Sequence, residues 1–177
     1  MTESDGPPRA LFIAALAVAV AAVVAVLVIA ANRQTPAAPV AIAGVPAPRA
    51  NDPSCADLLA ALPADLGDYR RATVAEPAPA GAAAWQSAPG ADPVILRCGL
   101  DRPAEFVIGA PIQMVDDVQW FRVADPDTDR ITWFAVDRGV YVGLTLPADS
   151  GPTPIQDISE VLAKTLPAKP IEPAPAG

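Results

Sequence analysis

The chain contains no histidine. That absence removes Ser–His and Cys–His nucleophile pairs, the commonest zinc sites and the side chain that most often moves protons near neutrality. Cysteine is nearly missing too. There are two, Cys55 and Cys98, too far apart for a Cys-x-x-Cys redox motif. Aromatic residues make up 5% of the chain, so each large ring is a scarce resource for a core or a binding face. Basic residues are thin beyond residue 50, with nine Lys and Arg against eighteen Asp and Glu, a net charge of −9. A surface that acidic repels nucleic acid and anionic head groups, so no nucleic-acid partner is expected. Nothing in these residue types asks for a cofactor.

What the chain does have is an unbroken apolar run at residues 10–31, free of charge, proline and glycine. Twenty-two residues as a helix reach ~33 Å, enough to cross a ~30 Å hydrocarbon core. A short polar leader at residues 1–9 precedes it. The run is longer than the ~7–15 residues of a signal-peptide core. The small-x-small triplet Ala41-Ile42-Ala43 lies too far downstream for ordinary cleavage. The run therefore reads as a retained single-pass transmembrane anchor, with the leader cytoplasmic and everything else extracytoplasmic. No apolar residue stands three positions before Cys55, so lipidation there is not expected.

Residues 32–53 are rich in Pro and Ala and read as an extended linker. Residues 167–177 share that composition and read as a disordered tail. Between them, residues 54–166 are long enough for one domain with one core. Cys55 and Cys98 in an oxidising compartment read as a disulfide, and closing a loop of about 44 residues contributes roughly 4 kcal/mol in the chain-entropy model.

Ser54 with Asp57 resembles a helix-capping pair before Leu58, Leu59 and Leu62, and Pro63 stops that helix. A short strand is expected around Tyr69, a loop over residues 76–92 interrupted by Trp85, and a strand over residues 94–98. Residues 118–123, 131–136 and 140–146 then predict three strands in sequence. Val140, Val142, Leu144 and Leu146 alternate with Tyr141, Gly143 and Thr145 in strict period two. Ile155, Ile158, Leu162 and Leu166 recur at helical spacing within residues 152–166. The expected fold class is α+β: a small antiparallel β-meander with packed helices, preceded by a single transmembrane helix.

Several residues are candidates for chemistry. Asp125, Asp127 and Asp129 have the spacing of the first calcium-loop ligands, yet Arg130 replaces the turn glycine and Val136 the bidentate Glu. They make only a weak metal candidate inside a hairpin turn. Asp116 and Asp117 on a strand would point to opposite faces and would not act as a pair. Ser159 and Lys164 on one helix would lie about 140° apart, which excludes a Ser–Lys pair. Large aromatics such as Trp85 and Trp120 are expected in the core. Trp133 and Tyr141 come from neighbouring strands, and on one uncovered face they would form a binding platform. Arg97, Arg122 and Arg138, from strand or turn positions, would either pair with acids or hold an anionic ligand.

The stretches Val94-Ile95-Leu96-Arg97-Cys98-Gly99 and Val136-Asp137-Arg138-Gly139-Val140-Tyr141-Val142, with Trp120-Phe121 between them and a closing Leu166-Pro167, resemble an actinobacterial envelope family catalogued as domain of unknown function 3515. The resemblance implies an exported single-pass protein with one disulfide-bearing domain, and it implies no activity. The chain as a whole is therefore expected to be a non-enzymatic, membrane-anchored binding or accessory module of the cell envelope. Its partner would be an envelope protein or a cell-wall component, with recognition by the sheet face or by the alanine-rich anchor. The competing expectation is a carboxylate-dependent enzyme acting on cell-wall material, which needs two acids facing one cleft.

Overall fold

The computed structural model describes residues 9–32 and 38–176, which fall into two compact units. The first contains helix α1 (Arg9–Asn32), 24 residues long. Its stretch Leu11–Ile29 has a mean hydropathy of 3.2, and all of those side chains are exposed. A helix apolar on every side has no polar face to turn to water. At ~1.5 Å per residue it has the length and composition of a single-pass anchor or of a signal sequence. The expected leader lies outside the described residues apart from Arg9, where α1 begins.

The second unit is an eight-stranded antiparallel sheet with two helices. In chain order these are α2 (Pro53–Ala61), β1 (Asp65–Leu66), β2 (Tyr69–Ala72), β3 (Ala82–Gln86), β4 (Val94–Leu100), β5 (Ile112–Val115), β6 (Val118–Ala124), β7 (Arg130–Ala135), β8 (Tyr141–Pro147) and α3 (Thr153–Thr165). The strand order is β1-β2-β3-β4-β8-β7-β6-β5. The α+β expectation holds, and the meander of β6, β7 and β8 is the expected one. It is joined by β5 on one side and by the earlier strands on the other.

Side chains alternate across a strand and cross-strand partners share a face, so the register sorts the core. One face carries Trp85, Val94, Leu96, Cys98, Trp120, Val142 and Leu144, all fully buried. Helices α2 and α3 cover it with Cys55, Leu58, Ile155, Ile158 and Leu162. The two buried indoles are satisfied: Trp120 Nε1 donates to Ser159 Oγ at 3.0 Å, and Trp85 Nε1 donates to the Pro63 carbonyl at 3.1 Å. Ser159 in turn donates to the Ile155 carbonyl at 2.7 Å. A disulfide joins Cys55 of α2 to Cys98 of β4, with Cα atoms 5.6 Å apart, within the usual span of such a bridge.

Several sequence expectations are corrected. Asp52, not Ser54, caps α2; its carboxylate accepts from the Ser54 N–H at 3.0 Å. The loop expected over residues 76–92 contains β3. Alanine is a poor strand former, but Ala82, Ala83 and Ala84 are paired on both sides by β2 and β4, and tertiary pairing outweighs propensity. Asp116 and Asp117 occupy the tight turn between β5 and β6, with Asp116 at φ 50.

The linker and the tail are also different from what composition suggests. The described part of the linker folds onto the domain. Val40 is buried and pairs with Val74 in a parallel bridge, and the Arg49 N–H donates to the Gly99 carbonyl at 3.0 Å. Gly99 sits at φ 83 in a bulge of β4, where a Cβ would fall on the backbone of Arg49 and Ala50. Only glycine accepts that approach. The tail is paired rather than free: the Ile108 N–H donates to the Ala174 carbonyl, the Ala174 N–H to the Phe106 carbonyl, and the Lys169 N–H to the Asp137 carbonyl. A proline-rich segment keeps the carbonyls and the non-proline N–H groups that such pairing uses.

Candidate functional site

The second face of the sheet has no helix on it. By register it carries Arg97 opposite Gly143, Ile95 opposite Thr145, Thr132 opposite Thr145, and Phe121 opposite Phe134. Tyr141, two residues before Gly143, shares it. Irregular chain covers part of this face. Phe106 and Ile171 pack with Phe121, Phe134, Val136 and Tyr141 in a second apolar cluster, the rings of Phe106 and Phe121 being 5.3 Å apart. The face is thus closed by straps at one end and open to polar side chains at the other.

A polar cleft of about 200 Å³ lies where the tail meets the β7–β8 turn, lined by residues that include Arg49, Arg138, Tyr141, Lys169 and Glu172. Its charges are largely answered from within. Arg138 Nη1 lies 2.9 Å from Asp137 Oδ2, and both side chains are buried. Asp137 also accepts from the Gln119 N–H at 3.0 Å, and Arg138 donates to the Asp117 carbonyl at 2.8 Å. Arg49 pairs with Asp52 at 2.6 Å and donates to the Gly139 carbonyl. Burial pushes the Tyr141 hydroxyl's pKa upward, with Arg102 opposing and Glu172 adding. The arrangement binds the β7–β8 turn, the linker end and the tail into one polar joint.

The arginines on the open end of the face are different. Arg97 is half-buried and makes no ion pair among the described residues. Its guanidinium donates to the Ala43 carbonyl at 3.3 Å. Burial lowers its pKa, and the charge of Arg130 lowers it further. Arg130 donates to the Pro93 carbonyl at 2.6 Å, and it reaches Asp92 only at 4.0 Å, where that carboxylate is 80% exposed. Nε of both arginines is buried without a partner among the described residues, as are Gln86 Oε1 and, in the tail cleft, Arg138 Nε and Asp137 Oδ1. Thr132 and Thr145 lie in the sheet row between the two arginine rows, their hydroxyls 3.0 Å apart.

The five expected binding residues therefore do not form one site. Trp133 stands opposite Leu144 and packs at the margin of the helix-covered core, whereas Tyr141 lies on the other face. Their numbers differ by eight, but antiparallel register, not spacing, decides the face. Arg122 is opposite Trp133 and exposed, Arg138 is in the buried pair, and Arg97 is on the strap-covered face. Asp125, Asp127 and Asp129 do not converge. The Asp125 carboxylate accepts from the Asp127 N–H at 3.0 Å, a bond that holds its pKa below the usual range. Among the described residues no three metal-binding side chains are grouped closely enough to hold an ion. Ser159 is buried under Trp120, and Lys164 pairs with Glu160 at 3.1 Å.

Sequence reasoning missed Arg130, read only as the residue that spoils a calcium loop. It also missed Arg49, Lys169 and the Thr132–Thr145 pair. The alternation Arg130, Thr132, Phe134 was visible as one strand face. What joins it to Arg97 is the β4–β8–β7 register, which no local pattern carries.

A model of the family described as "Protein of unknown function (DUF3515)" matches residues 16–171. The match takes in most of the apolar helix, the whole sheet, and the tail as far as Ile171. No curated protein and no solved structure matches the chain.

Proposed function

Because the chain belongs to the family described as protein of unknown function DUF3515, its role has to be argued from its own architecture, and we propose that it is a membrane-anchored binding or accessory module of the actinobacterial cell envelope. The observation that carries this reading is a disulfide-bonded sheet domain on the same chain as a helix long and apolar enough to cross a membrane. Disulfides persist in oxidising compartments, so the bond favours a domain outside the cytoplasm. The binding surface would be the helix-free face of the sheet. Gln86, Arg97 and Arg130 each bring to it a buried polar atom without a partner among the described residues, two further such atoms lying in the Asp137–Arg138 pair, while the opposite face is filled by helices.

The competing reading, an enzyme built on two carboxylates, finds less support. Such a mechanism needs two acids at one cleft, one of them with its pKa raised by burial. Among the described residues Asp137 is the one buried carboxylate, and Arg138 occupies it.

A topology experiment tests the proposal. The full-length chain with an alkaline-phosphatase fusion at its C-terminus should be active in intact cells and remain in the membrane pellet after a carbonate wash. An inactive fusion would place the domain in the cytoplasm. A shortened chain in the supernatant would make α1 a cleaved signal and remove the anchor from the account.

A further inference from the structure

Charge balance separates the two polar places on the strap-covered face. In the cleft at the tail, Arg138 is answered by Asp137, Arg49 by Asp52, and Lys169 shares the lining with Glu172. At the open end, Arg97 and Arg130 face each other's charge with only the distant, exposed Asp92 nearby. A protein with twice as many acids as bases beyond residue 50 has carboxylates to spare, yet none is placed between these two guanidinium groups among the described residues. Two like charges held together in partly buried positions without a counterion lower stability, and such an arrangement is relieved by an anion.

We propose that Arg97 and Arg130, with the Thr132–Thr145 hydroxyls between them, form a binding site for a phosphate group. The register puts Arg130 opposite Pro147 in one row, Thr132 opposite Thr145 in the next, and Arg97 opposite Gly143 in the third. The two guanidinium groups thus come from strands on either side of β8 and flank the threonine pair. Each has an Nε–H without a partner among the described residues, a feature shared by Arg138, whose charge, unlike theirs, is met by Asp137. The threonine pair uses one of its two hydroxyl hydrogens internally, so the other is free to donate. Donors carried on three neighbouring strands suit a tetrahedral group with three terminal oxygens better than a planar carboxylate. Two cations also match the charge of a phosphate monoester, about −1.5 to −2 at pH 7. The net negative charge of the chain beyond residue 50 disfavours polyanions and selects a small or singly phosphorylated ligand.

The site rests on the binding role proposed above for the sheet domain, but not on the anchor or the compartment. Its test uses the full chain in nonionic-detergent micelles, with inorganic phosphate as the probe at constant ionic strength, followed by phosphorus-31 line broadening. The wild type should bind. Arg97→Gln and Arg130→Gln should each weaken binding about tenfold or more, as expected for loss of charged hydrogen bonds, and the exposed Arg122→Gln on the other face should leave it unchanged. No binding by the wild type, or binding that both site variants retain within twofold, would overturn the proposal. Acetate binding as tightly as phosphate would overturn the phosphate assignment. Should one variant fail to fold, the wild type and the other variant still decide the matter. Glycerol 3-phosphate and nanodiscs containing phosphatidic acid then separate a soluble ester from a lipid head group, and an Arg97-dependent response to either upholds the site. A silent phosphate titration beside a positive topology and crosslinking result would remove this site and keep the proposed function.

Discussion

The two faces of the sheet are built by opposite rules. One is closed by helices, stapled by the Cys55–Cys98 disulfide, and has both buried indoles satisfied. The other is closed by irregular straps from the linker, residues 101–111 and the tail, and its open end carries unpartnered atoms of Gln86, Arg97 and Arg130. Buried polar groups are ordinarily bonded, and those that are not call for a reason. The contrast ties stability to the helix-covered face, and under the proposed function recognition falls to the strap-covered one.

The comparison breaks if damage to the two faces costs the same. The largest loss is expected from Trp120→Ala on the helix-covered face, up to about 5 kcal/mol by urea unfolding, because removing a large buried ring leaves a cavity and takes away the hydrogen bond that Ser159 Oγ accepts. Replacing both cysteines by serine should lower stability by about 4 kcal/mol, measured the same way, with reductant on the wild type as a check. Ser159→Ala leaves the buried Trp120 N–H unpaired and should cost about 1–3 kcal/mol. Arg97→Gln, on the strap-covered face, should not lower the thermal midpoint in phosphate-free buffer. It removes a partly buried charge repelled by Arg130, and a midpoint well below wild type would erase the distinction between the faces.

The smallest effect concerns pH. Hydrogen bonds from the Ser54 backbone and from Arg49 hold the Asp52 carboxyl below its ordinary value of 3.8. A depressed carboxylate stabilises the folded state fully above the unfolded value, and that contribution is lost as pH falls through the lower folded value. Asp52→Asn should therefore flatten the acid limb of the stability–pH curve below about pH 4 and leave the neutral region's shape unchanged.

What could be read from the sequence follows the same division. The period-two run Val140–Leu146 and the helical repeat Ile155, Ile158, Leu162 belong to the helix-covered core, where burial is periodic and local. The disulfide was legible because two cysteines and an export-like segment leave few alternatives. The strap-covered face was not legible. Its straps are Pro/Ala segments whose composition describes an isolated chain, while their backbone groups are satisfied by distant carbonyls on Thr73, Gly99 and Asp137. The arginine pair depends on register across β4, β8 and β7, and Tyr141 was separated from Trp133 by that same register. Arg130 was in view but was assigned to its turn rather than to its strand.

The most direct test of the division is photo-crosslinking in intact cells, with a benzophenone side chain at Val123 on the strap-covered face or at Ala163 on the exposed side of α3. An adduct is expected from position 123 that Arg97→Gln abolishes, and none from position 163. Equal adducts from both positions, or an adduct from 163 alone, would contradict it.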